Sequence, residues 1–371
     1  MTLRAEHVGS LLRPGELLEA RAAHAAGLAT ASELAAAEDA AILRALDLQR
    51  EVGLEVFSDG EYRRSWFACN LPDAVSGLVP NPERVDFVWE GEGSELAVAE
   101  TVEVGLGLTI AGAPIRQVRR LAGHESAFLR DHAPGPYKVA LTGTVQHARS
   151  WFRPGGPHGY PTIVDMVGDL LEIMRSEIRA LSDDGVSHFQ LDSLLYVLDL
   201  PRPATDALPP DFDGDFLDLM IAADNACLEE ARNAGMTAGL HMCRGNNRSS
   251  WHAVGIPYED MAERAFSSLG VDRLLLEYDT GRAGGFEPLR FVRGGTTVVL
   301  GLISSKVPEL ESRETLMRRI EEASRYVPTE RLALSPQCGF ASTAPGNLVT
   351  WDDQKRKLEL AVSVAEEVWG A

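Results

Sequence analysis

Short apolar runs and longer amphipathic segments alternate along the chain. The apolar runs are rich in Val, Ile and Leu, which is typical of parallel strands that are buried on both faces. Eight of these strand patterns follow one another. The first is the run that ends at 7–10, and the others lie at 55–59, 137–143, 188–192, 237–241, 273–277, 297–302 and 331–335. Amphipathic segments of helical length lie between them, at 15–50, 163–184, 212–235, 258–269, 311–327 and 352–369.

This alternation predicts an α/β protein, and eight strands favour a single (β/α)8 TIM barrel over an open doubly wound sheet. The exception is the stretch 62–136, which is longer than one crossover helix requires. Its apolar runs at 85–89 and 106–110 predict a small β excursion, and a helix is expected near 115–132. We therefore expect one catalytic domain over residues 1–371, with 62–136 as a long insertion between strands 2 and 3.

Composition excludes several classes of function. The 371 residues contain 35 Lys and Arg against 55 Asp and Glu, a formal net charge of −20. Nucleic-acid binding depends on clustered positive charge, so no nucleic-acid partner is expected. No apolar run reaches the roughly 18 residues of a membrane span, and the N-terminus has no signal-peptide pattern. We expect a cytoplasmic protein without a membrane partner, and the pattern does not indicate an oligomeric state.

The four cysteines are too few for a disulfide scaffold. Cys69 and Cys227 are expected to pack as small hydrophobes, the usual role of a buried free cysteine. Cys243 and Cys338 instead follow predicted strands. A special role for these two would be catalytic or metal-binding.

Polar residues interrupt the apolar runs at the ends of the predicted strands, where a TIM barrel carries its active site. They are Gly9-Ser10, Asp59-Gly60-Glu61, Thr142-Gly143, Asp192, His241-Met242-Cys243, Glu277-Tyr278-Asp279, Ser304-Ser305 and Cys338. Each group alone is more often a turn, a strand exit or a helix cap than a functional site. Their recurrence at successive strand ends predicts one catalytic rim.

Four of these residues suggest a metal site. His241 and Cys243 are two positions apart and face the same way on a strand. With Glu277 and Cys338 they offer two sulfurs, an imidazole and a carboxylate, which suit tetrahedral Zn²⁺. Two thiolates weaken zinc as a Lewis acid, whereas a substrate thiol bound to zinc becomes a thiolate at neutral pH. The ligand set therefore predicts thiol alkylation.

At these residues the sequence resembles the cobalamin-independent methionine synthase family, specifically its catalytic C-terminal barrel. The matching pieces are His7-Val8-Gly9-Ser10, Asp59-Gly60-Glu61 with Arg64, Asp192, His241-Met242-Cys243, Glu277 and Pro336-Gln337-Cys338-Gly339. The resemblance implies zinc on His241, Cys243, Glu277 and Cys338, and transfer of a methyl group to homocysteine in methionine biosynthesis. It also implies that the amino and carboxylate groups of homocysteine are held by Val8, Gly9, Ser10, Glu61 and Asp192.

Two departures concern the methyl donor. The full-length synthases have a second, N-terminal half, for which 371 residues leave no room. They also carry a histidine after the seventh strand, resembling a general acid, where this chain reads Leu302-Ile303-Ser304-Ser305-Lys306. We leave the donor open between methyl-tetrahydrofolate and another methyl donor. On position alone, His147 and Tyr196 are the candidate proton donors.

Two other functions remain open. The Ser-Ser-Lys stretch and Cys243-Arg244-Gly245-Asn246 also resemble the zinc-dependent epoxyalkane:coenzyme M transferases. There Arg244 or Lys306 would hold an anionic substrate or an opening epoxide oxygen, although either could equally be a solvated charge at the rim. A metal-free, uroporphyrinogen decarboxylase-like barrel is the third reading.

Overall fold

The computed structural model describes residues 3–82, 88–103, 109–198 and 213–370. Its α-helices are α1 (Gly15–Ala25), α2 (Ala31–Glu51), α3 (Asn70–Asp73), α4 (Ser94–Glu103), α5 (Gly123–His132), α6 (Thr144–Trp151), α7 (Ile163–Asp183), α8 (Phe216–Asn233), α9 (Glu259–Ser268), α10 (Arg313–Ser324) and α11 (Trp351–Trp369). Its strands are β1 (Val75–Pro80), β2 (Trp89–Glu90), β3 (Thr109–Gln117), β4 (Lys138–Thr142), β5 (His188–Ser193), β6 (Thr237–Met242), β7 (Trp251–His252), β8 (Arg273–Glu277), β9 (Thr297–Ile303) and β10 (Leu332–Pro336). None of these helices is long and apolar enough to cross a bilayer.

Six strands form one parallel sheet in the order β10-β9-β8-β6-β5-β4. The first two predicted strands extend this sheet as single bridges: Ala5 pairs with Leu334 of β10, and Phe57 pairs with Tyr137 beside β4. The Leu11 amide donates a 3.1 Å hydrogen bond to the Gly60 carbonyl and joins these two segments. The predicted segments thus follow one another in barrel order, and the α/β barrel fold is confirmed. That residues 1–371 form one catalytic domain stays a prediction.

The interior enclosed by the sheet is filled by side chains, as in other barrels of this size. Val8, Leu275, Val299 and Ala333 form a small apolar cluster of their own. Towards the amino ends of the strands, the Glu6 carboxylate accepts a 2.8 Å hydrogen bond from Arg273.

The prediction of one helix over 15–50 is wrong, because the chain breaks between α1 and α2. Gly27 adopts a φ of +73°, a left-handed conformation that cannot continue a right-handed helix. Thr30 then begins α2 with a capping box shared with Glu33. The break was therefore encoded by local turn and cap residues.

The insertion also differs from its prediction. Residues 109–117 form a strand that pairs with β1, and the predicted helix near 115–132 begins only at Gly123. The predicted runs at 85–89 and 106–110 lie partly outside the described residues, as does residue 212 before α8. Strand β2 pairs with β7, which follows the fifth barrel strand, β6. The insertion is thereby tied to the loop that carries Cys243.

Candidate metal centre

Four predicted ligands meet at the carboxyl ends of three barrel strands. His241 lies near the end of β6 and Glu277 ends β8. Cys243 directly follows β6, and Cys338 lies two residues after the end of β10. Their ligand atoms all lie within 4.8 Å of one another, and all four residues are buried. The parallel strands bring these residues together from sequence separations of up to 97 positions.

The spacing of this cluster fits one tetrahedral ion. The Cys243 and Cys338 sulfurs are 3.8 Å apart, and two sulfurs about 2.3 Å from one tetrahedral zinc would stand about 3.8 Å apart. The His241 Nε2 lies 3.7 Å from the Glu277 Oε1. Among the described residues, neither ring nitrogen of His241 has a hydrogen-bond partner. A buried imidazole without such a partner is the donor that a metal ion would use.

The electrostatics of the cluster also favour a cation. The hydrogen bond from the Cys243 thiol holds the pKa of Cys338 well below its usual value, and the same contact raises the pKa of Cys243. Burial and the neighbouring Cys338 raise the pKa of Glu277 to about 7. Burial opposes the charge of His241, yet the surrounding anions raise its pKa to about 9. Acidic groups this close and this buried are stable as anions only beside positive charge. Their sulfur, nitrogen and oxygen donors fit zinc.

Glu277 is held by groups of which the sequence analysis named only Arg244. Its Oε2 accepts a 2.8 Å hydrogen bond from Arg282, and its Oε1 accepts one of 3.0 Å from the Arg244 amide. The Tyr258 hydroxyl accepts a hydrogen bond from the Glu277 amide and donates one to the Met242 carbonyl. Tyr258 therefore links the ends of β6 and β8. Tyr258 lies at the start of α9, and Arg282 lies in a short turn after β8. Neither position belongs to a periodic pattern, so no sequence signal distinguishes these two residues.

A second cluster, the acidic pocket, consists of Asp59, Glu61, Glu125 and Asp192 around Arg64. Arg64 donates two hydrogen bonds to Glu125, of 2.8 and 2.6 Å. Its guanidinium is farther from Glu61, with 3.5 Å between Nη1 and Oε1. Within the described residues, one carboxylate oxygen of Asp59 and one of Glu61 are buried without a hydrogen-bond partner. The pocket therefore holds more acidic groups than Arg64 balances.

The pKa values reflect this excess of carboxylates. Burial raises the pKa of Glu61 to about 8, and the neighbouring Asp192 adds to the effect. Burial and Glu125 raise the pKa of Asp59 to about 6. The pKa of Asp192 is also raised by burial, although His241 opposes the change. A positively charged ligand group would restore these carboxylates to their ionised forms.

The acidic pocket adjoins the metal cluster and the chain at residues 8–10. Asp192 of β5 is the register partner of His241 in β6. A Cβ on Gly9 would lie 3.5 Å from the Glu61 Oε1, so residue 9 contacts that carboxylate. A Cβ on Gly339 would lie 2.5 Å from the Ser10 Oγ, and only glycine allows the Cys338 loop to approach so closely. The structure thus brings the predicted substrate residues beside the predicted metal ligands.

Gln190 connects two sides of this pocket. Its amide nitrogen donates hydrogen bonds to the Asp192 Oδ1 at 2.8 Å and to the Val8 carbonyl at 2.7 Å. Lys138 donates to the Gln190 Oε1 at 3.1 Å, which orients the amide. The sequence carried a signal for this residue, because Gln190 interrupts an apolar strand two positions before Asp192 and faces the same way.

The two candidate proton donors lie beside the rim in surroundings that oppose proton donation. The His147 Nε2 is 2.5 Å from the Thr142 hydroxyl, and burial lowers the pKa of His147 to about 3. The Tyr196 hydroxyl donates to Asp224 of α8, and burial raises the pKa of Tyr196 well above its usual value. A general acid works best with a pKa near the working pH, which neither residue has.

The two basic candidates, Lys306 and Arg244, donate hydrogen bonds to groups within the protein. The Lys306 ammonium donates to the Gly245 and Ser250 carbonyls and to the Asn246 side chain. The Arg244 guanidinium donates to the Arg282 carbonyl and lies 5.1 Å from the centre of the Tyr258 ring.

The other two cysteines are buried outside the metal cluster. Cys227 packs within the main hydrophobic core, and Cys69 precedes α3. The structure describes both as free thiols. Their burial agrees with the packing role expected from the sequence.

Known proteins are similar to this chain in both sequence and fold. The family model for the catalytic domain of the cobalamin-independent synthase matches residues 165–367. The chain is 35% identical to the uncharacterised protein YxjH of Bacillus subtilis, over 99% of this chain and 94% of that protein. It is 22% identical to the 5-methyltetrahydropteroyltriglutamate–homocysteine methyltransferase of Bacillus velezensis, over 80% of this chain but only 34% of that enzyme.

Two solved structures extend the comparison. A putative vitamin-B12 independent methionine synthase from Listeria monocytogenes superposes with a TM-score of 0.70 at 25% identity, covering 99% of this chain and 98% of that one. A B12-independent methionine synthase from Shewanella sp. W3-18-1 has the same fold, with a TM-score of 0.70 at 19% identity over 99% of this chain and 98% of that one.

Proposed function

We propose that this chain, which belongs to the cobalamin-independent methionine synthase family, is a zinc-dependent methyltransferase that converts homocysteine to methionine. The family supports a homocysteine methyltransferase in general terms. The finer proposal rests on one observation, the acidic pocket lying directly beside the four-residue metal cluster.

The metal cluster accounts for activation of the acceptor. His241, Cys243, Glu277 and Cys338 would hold the ion. A zinc ion bound there would keep a substrate thiol as a nucleophilic thiolate at neutral pH. The thiolate sulfur would attack the methyl carbon in line, so that the new sulfur–carbon bond forms as the bond to the donor breaks and the demethylated donor leaves with that electron pair.

The acidic pocket accounts for the choice of thiol. Glu61 and Asp192 would bind the ammonium group of homocysteine through charge-assisted hydrogen bonds. The backbone and hydroxyl of residues 8–10 would bind its carboxylate. Two contacts on the amino acid fix the direction of the sulfur, which lowers the entropic cost of the reaction.

The same pocket argues against coenzyme M as the acceptor. Coenzyme M carries a sulfonate and no ammonium, so it would place negative charge beside unpaired carboxylates. Of the two bases that could bind a sulfonate, Lys306 is already engaged by three acceptors. Arg244 donates to the Arg282 carbonyl, and among the described residues its Nε and Nη1 have no hydrogen-bond partner. We therefore place the epoxyalkane:coenzyme M activity second.

The donor is tested by direct assay. Zinc-loaded protein is incubated with homocysteine or coenzyme M against methyl-tetrahydrofolate, a methyl-corrinoid and a small epoxide, and products are measured by mass spectrometry. We expect methionine from homocysteine and at least one methyl donor. Alkylated coenzyme M with the epoxide, and no methionine from any methyl donor, would replace the proposal with its alternative.

Metal analysis distinguishes the two zinc-dependent functions, methyl transfer to homocysteine and alkylation of coenzyme M, from a metal-free barrel. We expect about one zinc per chain, because four ligands of this kind bind a single ion. Double replacement of Cys243 and Cys338 by Ser, with Cys69→Ser as the matched control, assigns the zinc to the cluster. Protein that neither contains zinc nor takes it up would contradict both zinc-dependent functions.

A further inference from the structure

Arg282 makes a direct and buried contact with one predicted metal ligand. Its Nη2 lies 2.8 Å from the Glu277 Oε2. The Glu277 side chain is fully buried, and that of Arg282 is only 15% exposed. The other carboxylate oxygen, Oε1, lies 3.7 Å from the His241 Nε2 and faces the remaining ligands. The two oxygens of Glu277 therefore have different neighbours.

Arg282 is itself held in place. Its Nε donates to the Thr280 hydroxyl at 3.1 Å, and its Nη1 donates to the Arg244 carbonyl at 3.2 Å. The guanidinium carbon lies 5.4 Å from the centre of the Trp251 ring. A guanidinium with these contacts is fixed, so it offers the carboxylate one constant position.

Two consequences follow for Glu277. Its Oε2 is engaged by a positive charge, whereas Oε1 accepts a hydrogen bond only from the neutral Arg244 amide and keeps a second lone pair with which to bind a metal. The guanidinium also withdraws electron density from the carboxylate, which makes Oε1 a weaker donor. An enzyme that activates a thiol needs one ligand that can be replaced, because a catalytic zinc requires an open position.

We propose that Arg282 is a positioning residue that holds Glu277 as a weak, one-oxygen ligand and retains the carboxylate when a substrate thiolate takes its place. With a metal bound, the exchange would break the bond from Oε1 to the metal and form one from the substrate sulfur, and the thiol proton would leave to solvent. The inference rests on the proposed function and adds to it the group that makes the exchange possible.

The opposing explanation is that Arg282 only supports the local structure. It also lies 3.7 Å from Asp279, so it could simply balance two buried acids. The two explanations predict different changes in zinc affinity when Arg282 is replaced. Loss of an ordinary orienting partner weakens metal binding about 10–100-fold. Loss of an arginine that weakens Glu277 leaves metal binding unchanged or tighter, because a positive charge near the ion is removed.

The test compares Arg282→Gln and Arg282→Lys with Arg290→Gln. Arg290 is a matched control because it forms an exposed ion pair with Glu259 away from the cluster. Zinc affinity is measured by competition with a chelator. Exchange of Glu277 is followed in cobalt-substituted protein by the change of its visible absorption spectrum as homocysteine is added. Circular dichroism confirms that each variant is folded.

For Arg282→Gln we expect zinc binding at least as tight as in the unaltered protein, and a homocysteine concentration for the half-maximal spectral change about tenfold higher. For Arg282→Lys both values should lie between those of Arg282→Gln and the unaltered protein. For Arg290→Gln both should match the unaltered protein. Weaker zinc binding with an unchanged homocysteine titration would overturn the inference. If Arg282→Gln does not fold, the same two measurements on Arg282→Lys test the inference instead.

Failure of the proposed function gives a different result. In that case cobalt-substituted protein with Arg282 intact binds the metal, but homocysteine does not change its spectrum, and the inference falls with the function. If the unaltered protein responds to homocysteine and Arg282→Gln responds identically, the inference alone is wrong.

Discussion

Replacing Glu61 with Gln tests the acidic pocket through the pH dependence of ligand binding. Burial, together with repulsion from Asp192, Glu125 and Asp59, raises the pKa of Glu61 to about 8 despite Arg64. In the free protein at pH 7 this carboxyl group is therefore mostly protonated. The ammonium group of a bound amino acid favours the ionised form, so binding releases a proton. Affinity should then rise with pH.

The size of the effect follows from the fraction of Glu61 that is ionised. A group with a pKa of about 8 is about 9% ionised at pH 7 and about 50% at pH 8, which corresponds to about a fivefold gain in affinity. Asp59, with a pKa of about 6, contributes little in this interval. In Glu61→Gln the gain should disappear, and at pH 8 affinity should fall by about 2 kcal/mol, the value of a charged hydrogen bond.

Methionine, the proposed product, is the ligand of choice because it carries an ammonium group but no thiol that titrates. Isothermal titration calorimetry of the zinc-free protein, the state in which the pKa of Glu61 is about 8, in buffers of different ionisation enthalpy, gives both the affinity and the protons released. We expect release of about 0.9 proton at pH 7 and about 0.5 at pH 8. Glu19→Gln, on the exposed surface of α1, is the matched control. Affinity that is constant between pH 7 and 8, or Glu61→Gln with the original pH dependence, would refute the reasoning.

Four further substitutions test other contacts. Cys338→Ser should abolish zinc binding in metal analysis, yet shift the free energy of unfolding of zinc-free protein by about 1 kcal/mol or less; global unfolding would make the metal structural. Lys306→Met removes three buried hydrogen bonds and should cost about 3 kcal/mol in urea unfolding; a cost near zero would contradict this. Gln190→Leu frees Asp192 and should raise the KM for homocysteine about tenfold, with kcat less affected; an equal loss in kcat would argue for a different role. His147→Gln should keep kcat within about threefold, because the imidazole is already neutral, and about a hundredfold loss would instead identify a proton donor.

The fold was largely predictable because its pattern is local. Buried parallel strands are continuous apolar runs, and the six from 137 onwards were placed within a few residues of their observed bounds. The first two predicted strands are only bridges, since their pairing depends on contacts across the barrel. The insertion was predicted poorly because β2 pairs with β7, more than 160 positions later in the chain.

The sequence by itself determined which residues could form the metal cluster. Strand periodicity places His241 and Cys243 on one side, and parallel strands that start in register end at one rim, so Glu277 and Cys338 follow. That inference needs only local pattern and the barrel fold.

Only the tertiary structure decided what surrounds those residues. Arg282 binding Glu277, Tyr258 joining two strand ends, and Glu125 of the insertion binding Arg64 all depend on how loops pack. The raised pKa of Glu61 depends likewise on burial and on carboxylates from distant segments. Periodicity reports the neighbours of a residue along one strand or helix, whereas charge and dielectric environment are set by residues far apart in the chain that folding brings together.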